Sequence, residues 1–262
     1  MLRSLRTAAL GMAAQQLSID SISNNLANIN TTAYKKNSVE FQDLLYETVR
    51  SGAAEGRENN EKPGEIQIGL GNKPVSTYRS FTQGSISETG NPLDVAINGN
   101  GFFQIMRANG SMAYTRDGSF RVNSMGELVN LQGMRIYPDI NIPDNVKALQ
   151  ISQDGVISAA YEGQADTEEL GQIEIVTFMN PAGLSAVGGN LYEQSEASGE
   201  PVYSVPGQDG TGNIVQGYLE KSNVDVVTEM INLIVAQRAY EINSKSIKTS
   251  DELLSITNNL KR

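Results

Sequence analysis

The chain has 262 residues, 39% hydrophobic and 19% charged, with a formal net charge of −10. That is long enough for one large or two modest domains with a real core, and the composition is not that of a disordered chain. It holds no cysteine and no histidine, which excludes disulfides, thiolate chemistry, histidine-based catalysis and the usual zinc sites.

The amino terminus, MLRSLRTAALGMAAQQLSIDS, places basic residues before small apolar ones, as a secretory leader does. Its apolar run, Thr7 to Ala14, is short, and a seven-residue periodicity carries straight through any cleavage point, so it reads as mature sequence. No apolar run approaches the roughly 18 residues needed to span a bilayer. Arg3 and Arg6 are too few for a lipid anchor and read as the solvated side of a helix.

Over residues 2–29 the pattern Leu2, Leu5, Ala9, Met12, Gln16, Ile19, Ser23, Leu26, with Ile22 and Ile29 alongside, predicts a heptad helix roughly 40 Å long. It should end near Asn28, because Asn30, Thr31 and Thr32 favour turns. From Ala33 to Val49 the spacing suits a short extended stretch followed by helix, with Phe41, Leu44, Leu45 and Val49 on its apolar side. Arg50 to Gly64 is charged, lacks large apolar residues, and reads as an exposed loop or hairpin arm, with a disordered linker as the alternative.

From Glu65 to Tyr218 the texture changes. All eight prolines fall between Pro63 and Pro206, and 24 of the 25 glycines between Gly52 and Gly217. Short alternating runs broken by turn dipeptides predict an all-β domain. Leu93, Val95 and Ile97 alternate with Asp94, Ala96 and Asn98; Asn98-Gly99-Asn100-Gly101 then turns the chain into Phe102–Met106. Asp117-Gly118 and Asp154-Gly155 are further hairpin signals. Ile173, Ile175 and Thr177 open another strand, and Ile214 to Leu219 leads back to helix. Residues 1–36 hold four basic groups and one acidic, and residues 224–262 five of each, so the 187 residues between carry −13. An acidic middle argues against nucleic acid as a partner.

Val224 to Leu260 contains no glycine or proline and predicts a single helix roughly 55 Å long. One seam runs Val235, Ala239, Ile242, Ser246, Thr249, Leu253, Ile256, Leu260. A second runs Val226, Met230, Leu233, Tyr240, Ile247, Leu254, interrupted by Gln237, Ser244 and Asp251. Two seams call for two or more partners; an amphipathic helix on a globular core is the plainer alternative. Ser222 and Asp225 suggest a capping box at its start.

The candidate chemical sites are weak. Gly69-Leu-Gly71-Asn-Lys-Pro74, Gly99-Asn-Gly101 and Gly210-Thr-Gly212 lack the third glycine and the following helix of a phosphate loop. Asp94, Asp117, Asp139 and Asp154 could contribute a glycosidase pair, but Asp117 and Asp154 precede glycine, where the side chain caps its own turn. Asp209 to Asn213 lacks the pattern and closing glutamate of a calcium loop. No cofactor or metal is expected.

Ser23 to Lys36, SNNLANINTTAYKK, and Val224 to Leu254, most specifically AQRAYEINSK at Ala236 to Lys245, resemble the two terminal helices of bacterial flagellar axial proteins, the rod and hook subunits. Between them DVAINGNGFFQI, YTRDGSFRVNSMGELVNLQG and TFMNPAGL resemble the β domain of the distal rod branch of that family. The matching motif positions are Asn24, Asn25, Leu26, Ala27, Asn28, Tyr34, Gln237, Arg238, Tyr240 and Glu241. Ala33 departs from the glycine usual before the aromatic residue.

The resemblance implies a mixed α and β fold whose terminal helices form a coiled-coil unit, with the β domain inserted between them. The expected segments are 1–36 and 221–262 for the helices, 37–75 for a connecting segment with an extended insertion, and 76–220 for the β domain. It implies a structural subunit, not an enzyme, that polymerises with itself around an export channel. Expected partners are proximal rod subunits, the hook protein, the surrounding basal-body rings and the export apparatus, with no membrane insertion. Location in the periplasmic rod and export without a cleaved signal are implied likewise. A proximal rod or hook subunit, a secreted carbohydrate-active enzyme and a coiled-coil adhesin are the rival readings.

Overall fold

The computed structural model describes residues 2–49, 66–143, 145–161 and 167–259. The insertion Arg50 to Gly64, and Leu260 of the first carboxyl-terminal seam, lie outside them. The chain divides into two compact units, both discontinuous: Met1–Leu26, Asn37–Tyr78 and Asp225–Arg262 form one, Ala27–Lys36 and Arg79–Val224 the other.

The helical unit contains α1 (Leu2–Ala27) and α2 (Val226–Asn259). The second is capped by Asp225, whose carboxylate accepts from the Thr228 N–H (3.2 Å). Ser222 instead accepts from the Val224 N–H (3.3 Å), so it stands before the cap, and the expected Ser222–Asp225 box gives way to Asp225 alone. The helix expected within Ala33–Val49 is absent. Asn37–Asp43 and Tyr46–Val49 are strands, paired with Asn72–Arg79 and Ile66–Gly69 respectively. In Asn37–Asp43, Val39 and Phe41 alternate with Ser38, Glu40 and Gln42. That period of two outranks the helical spacing of so short an apolar run. The break between the two strands is closed by the Leu44 N–H donating to the Gly71 carbonyl (2.8 Å).

The β unit is built on one central strand, Phe102–Met106, which pairs with Met112–Thr115, Arg135–Tyr137 and Ile175–Thr177. Its successive side chains point to opposite faces. Phe103 accordingly joins the core of Val95, Ile97, Phe120, Leu128 and Ile136, while Phe102 joins Tyr114, Val176, Phe178, Leu184 and Tyr192. The turn at Asn98–Gly101 is as expected: Gly99 and Gly101 take φ of 123° and 136°, and a Cβ on Gly101 would lie 2.0 Å from Ile175 Cγ2. Asp154-Gly155 joins the antiparallel strands Val146–Ile151 and Val156–Tyr161 as a hairpin. Asp117-Gly118 does not make one. The strands on either side, Met112–Thr115 and Arg121–Val122, pair with other strands, and the Gly118 carbonyl accepts from the Val95 N–H (3.0 Å). A Cβ at Gly118 would fall 1.6 Å from the Val95 carbonyl oxygen, so close backbone approach is what the glycine permits there.

Candidate assembly surface and its anchoring

Within the helical unit, α1 and α2 run side by side and antiparallel along a seam of small and polar residues. Ser4 Oγ lies 3.4 Å from Ser250 Oγ. A Cβ built on Gly11 would come within 2.8 Å of Asn243 Nδ2. Asn25 Nδ2 donates to Glu229 Oε2 (3.2 Å). The Ser4/Ser250 and Gly11/Asn243 contacts lie seven residues apart on each helix, and the Asn25/Glu229 contact two further steps of seven on, a spacing that puts Ser18 level with Ala236. Asn25 also holds the chain that follows α1. Its Oδ1 accepts the Asn37 N–H (2.9 Å), and its Nδ2 donates to the Asn37 carbonyl (2.8 Å), the pairing a neighbouring strand would make.

The buried residues of α2 are Glu229, Ala236 and Ser250, and those of α1 are Ala8, Ala14 and Asn25. The large apolar residues of the two expected seams stand elsewhere. Leu233, Ile247 and Leu254 of the second seam flank the polar line and are half-buried, with Tyr240 on the same side and more open. Ala239 of the first seam is half-buried, but Val235, Ile242, Leu253 and Ile256 are exposed, Val235 and Ile242 by 61% and 63%. Val226, Val227, Met230, Ile231 and Ile234 are exposed as well. On α1, Leu5, Met12, Ile19 and Leu26 are half-buried. The exposed apolar side chains cluster over Val226–Val235 and recur at Ile242, Leu253 and Ile256 among charged residues, and a clustered apolar surface of this kind marks a site of association.

Of the motif positions, Asn25 alone is buried; Leu26, Asn28 and Tyr34 are half-buried, and Asn24, Ala27, Gln237, Arg238, Tyr240 and Glu241 are exposed. Arg238 and Glu241 form a surface ion pair (2.8 Å), of little weight for stability at such exposure. Asn28 accepts from the Thr31 hydroxyl (3.1 Å), closing the turn after α1. Two residues on, Ala33 is fully buried with φ of 56°. This left-handed backbone favours glycine.

Within the β unit, three separate stretches of chain, residues 27–36, 79–84 and 220–224, are fastened together. The Ala33 N–H donates to the Glu220 carbonyl (2.8 Å), and the Lys36 N–H to Asn223 Oδ1 (2.7 Å). Asn223 Nδ2 in turn donates to the Ser80 carbonyl (2.9 Å). At the centre is a buried ionic cluster that no local motif announces, since its members are scattered along the chain. The Glu220 carboxylate accepts from Lys35 Nζ (2.6 Å), Arg116 Nε (2.8 Å) and the Gly84 N–H (2.8 Å). Lys35 donates also to the Thr82 carbonyl (2.8 Å), and Arg116 to the carbonyls of Gly101 (3.0 Å) and Gly99 (2.8 Å). Burial is the main force on the Lys35 ammonium and lowers its pKa from 10.5 to about 8, Arg116 adding to the effect and Glu220 opposing it. Burial alone would raise the Glu220 pKa. The charges of Arg116 and Lys35 and the Gly84 N–H outweigh it, so the net shift is downward.

Asp117 Oδ1 accepts from the Ser119 N–H (3.0 Å) and hydroxyl (2.7 Å), capping its own loop as expected. Asp94 accepts from the Thr89 hydroxyl (2.7 Å), Asn91 Nδ2 (2.9 Å) and Arg121 (3.1 Å), a structural set of bonds. Among the described residues no helix is long and apolar enough to cross a membrane, and no cluster of carboxylates has the arrangement of a metal site.

Three family profiles match successive parts of the chain: "Flagella basal body rod protein" over residues 5–35, "Flagellar hook protein FlgE/F/G D1 domain" over 96–159, and "Flagellar basal body rod FlgEFG protein C-terminal" over 215–260. Among similar proteins, the flagellar basal-body rod protein FlgG of Borreliella burgdorferi is 48% identical, with all of both chains covered. That of Caulobacter vibrioides is 44% identical over 99% of this chain and all of its own. That of Bacillus subtilis is 40% identical over the full length of both.

Proposed function

The chain belongs to the flagellar basal-body rod and hook family as a structural rod subunit and not an enzyme, and from that premise we propose how it assembles. Its terminal helices form a coiled-coil unit, and copies pack these units into a helical tube around the export channel, with the β units outside. Heterologous contacts that do not close on themselves generate such a tube from one kind of subunit. The tube is the distal rod, which carries motor torque from the proximal rod subunits to the hook through the surrounding rings. It stands in the periplasmic space, and its subunits pass the export apparatus without a cleaved signal.

The observation that carries this reading is the apolar face of α2. Val227, Met230, Ile231, Ile234, Val235, Ile242, Leu253 and Ile256 remain exposed after α1 has packed against its own side of the helix. At roughly 25 cal/mol per Å2, covering such side chains supplies the main drive for association. The −13 carried by residues 37–223 keeps an outward surface hydrated against the rings. Residues 50–64 are the insertion that stiffens the rod.

Purified chain should polymerise into straight tubes seen by electron microscopy. Ile231→Lys with Ile234→Lys should abolish the tubes while leaving the circular dichroism of the β unit unchanged. Deleting residues 50–64 should give tubes that bend. Unimpaired polymerisation of the double lysine variant would remove the proposed role of this face.

A further inference from the structure

Along its line of closest approach to α1, α2 presents polar and small residues, with the half-buried Leu233, Ile247 and Leu254 beside them. A seam of leucines is strong but tolerant, because each apolar knob finds an equally apolar hole one heptad away. A polar residue in the seam lowers stability and selects one alignment. Here the line of closest approach is Ser4 to Ser250, Gly11 to Asn243 and Asn25 to Glu229. Both residues of the last pair are only 1% exposed.

We propose that this polar seam sets the register and direction in which the two ends of the chain pair, leaving the apolar face of α2 for neighbouring copies. The inference rests on the coiled-coil reading above and assigns a division of labour within it. A slip of one heptad places Asn25 against Ala236, or Glu229 against Ser18, and either way the buried bond between Asn25 and Glu229 is lost. Taking a hydrogen bond away from a buried carboxylate is costly, whereas an apolar seam would slip freely. Gly11 adds a steric condition. It is the residue that lets Asn243 approach at that level, since even a methyl group there would lie 2.8 Å from the Asn243 amide nitrogen.

Asn25 carries the selection further along the chain. Its amide simultaneously holds the Asn37 N–H and carbonyl, and the Asn37 carbonyl also accepts from Ser21 Oγ (3.1 Å). The correct helix register and the correct start of the following strand are thus read by one side chain. Polar groups satisfied together in this way favour one arrangement over its near neighbours.

The absence of cysteine makes the test clean. In the full chain, Ser4→Cys with Ser250→Cys reports the observed register, and Ser4→Cys with Asn243→Cys a slipped one. Intrachain disulfide formation in dilute subunit, and again in assembled tubes, is followed by non-reducing electrophoresis. The first pair should oxidise faster by about tenfold or more, and Glu229→Leu should reduce that preference several-fold, because an apolar residue tolerates both registers. Glu229→Gln, which keeps an acceptor, should retain most of it. Gly11→Ala, a smaller change that leaves Asn25 and Glu229 in place, should also lower the preference and serves where Glu229→Leu does not fold. An undiminished preference in Glu229→Leu, or in Gly11→Ala when that variant stands in, would overturn the register role while leaving the coiled coil intact. Failure of both cysteine pairs to oxidise, free and assembled, would instead remove the coiled-coil reading and this proposal with it.

Discussion

In the β unit, Phe103, Phe120, Ile105 and Ile136 are sealed from solvent, and the buried charged side chains, Asp94 and the Lys35–Arg116–Glu220 cluster, are hydrogen-bonded. On the two helices the buried positions are the small or polar Ala8, Ala14, Asn25, Glu229, Ala236 and Ser250, while Val235 and Ile242 lie open. The contrast separates what a single copy completes from what it leaves for others. A closed apolar core derives its stability from burial within one chain. In the proposed assembly a polar seam supplies alignment, and further copies supply the burial that the exposed face of α2 lacks.

The ionic cluster is where a single substitution costs the β unit most. Glu220→Ala leaves Lys35 and Arg116 buried without their shared carboxylate, and should lower stability to urea by about 3–5 kcal/mol. Lys35→Met, which leaves Arg116 paired with Glu220, should be clearly milder. Equal losses would mean that the two cations are not held by one acid.

Truncating a large apolar side chain should separate the two units next. Phe103→Ala should destabilise the free subunit by about 3–5 kcal/mol. Ile234→Ala should change it by less than about 0.5 kcal/mol, as at other exposed positions, yet raise the concentration needed for tubes. A large loss of subunit stability from Ile234→Ala would show that its face is already covered in the single chain.

The cluster also gives the β unit a pH signature. The folded pKa of Lys35, about 8, lies below its ordinary 10.5. As pH rises from about 8 towards 10.5 the folded chain therefore gives up this proton before the unfolded chain does. The Lys35 contribution then makes the protein more stable across that window, and Lys35→Met should remove the gain. Glu220 is shifted below its ordinary 4.5, so its contribution is present above 4.5 and fades as pH falls through the depressed value. Urea midpoints of the parent and Lys35→Met at pH 7.5 and 9.5 check the first statement, and those of Glu220→Gln in acid the second.

The smallest effect is expected at Ala33. Glycine there relieves the left-handed backbone but adds freedom to the unfolded chain, for a net gain of about 1 kcal/mol or less. A loss on Ala33→Gly would point to packing of the methyl group as the larger factor.

These differences also explain what was legible in the sequence. An unbroken run without glycine or proline announced α2, and turn dipeptides such as Asn98-Gly99 announced the β unit, because both signals are local. The choice of seam was not legible. Periodicity drew two seams on α2: Leu233, Ile247 and Leu254 of one are half-buried beside the polar line, whereas Val235, Ile242 and Leu253 of the other remain exposed, and Ser4, Gly11, Asn25 and Ser250 carry no apolar signal. The strands after α1 were hidden because Phe41, Leu44 and Leu45 fit a helix as well as a ribbon until a partner strand exists. The cluster of Lys35, Arg116 and Glu220 joins residues up to 185 positions apart, a distance at which sequence pattern says nothing.

The proposed assembly requires the open face of α2 to be covered when copies come together. Ile234→Cys introduces a single thiol into a chain that has none, and its rate of reaction with a maleimide can be compared in dilute subunit and in tubes. A thiol that reacts readily in the subunit and is protected in the tube is the predicted result. Equal reactivity in both states would contradict it.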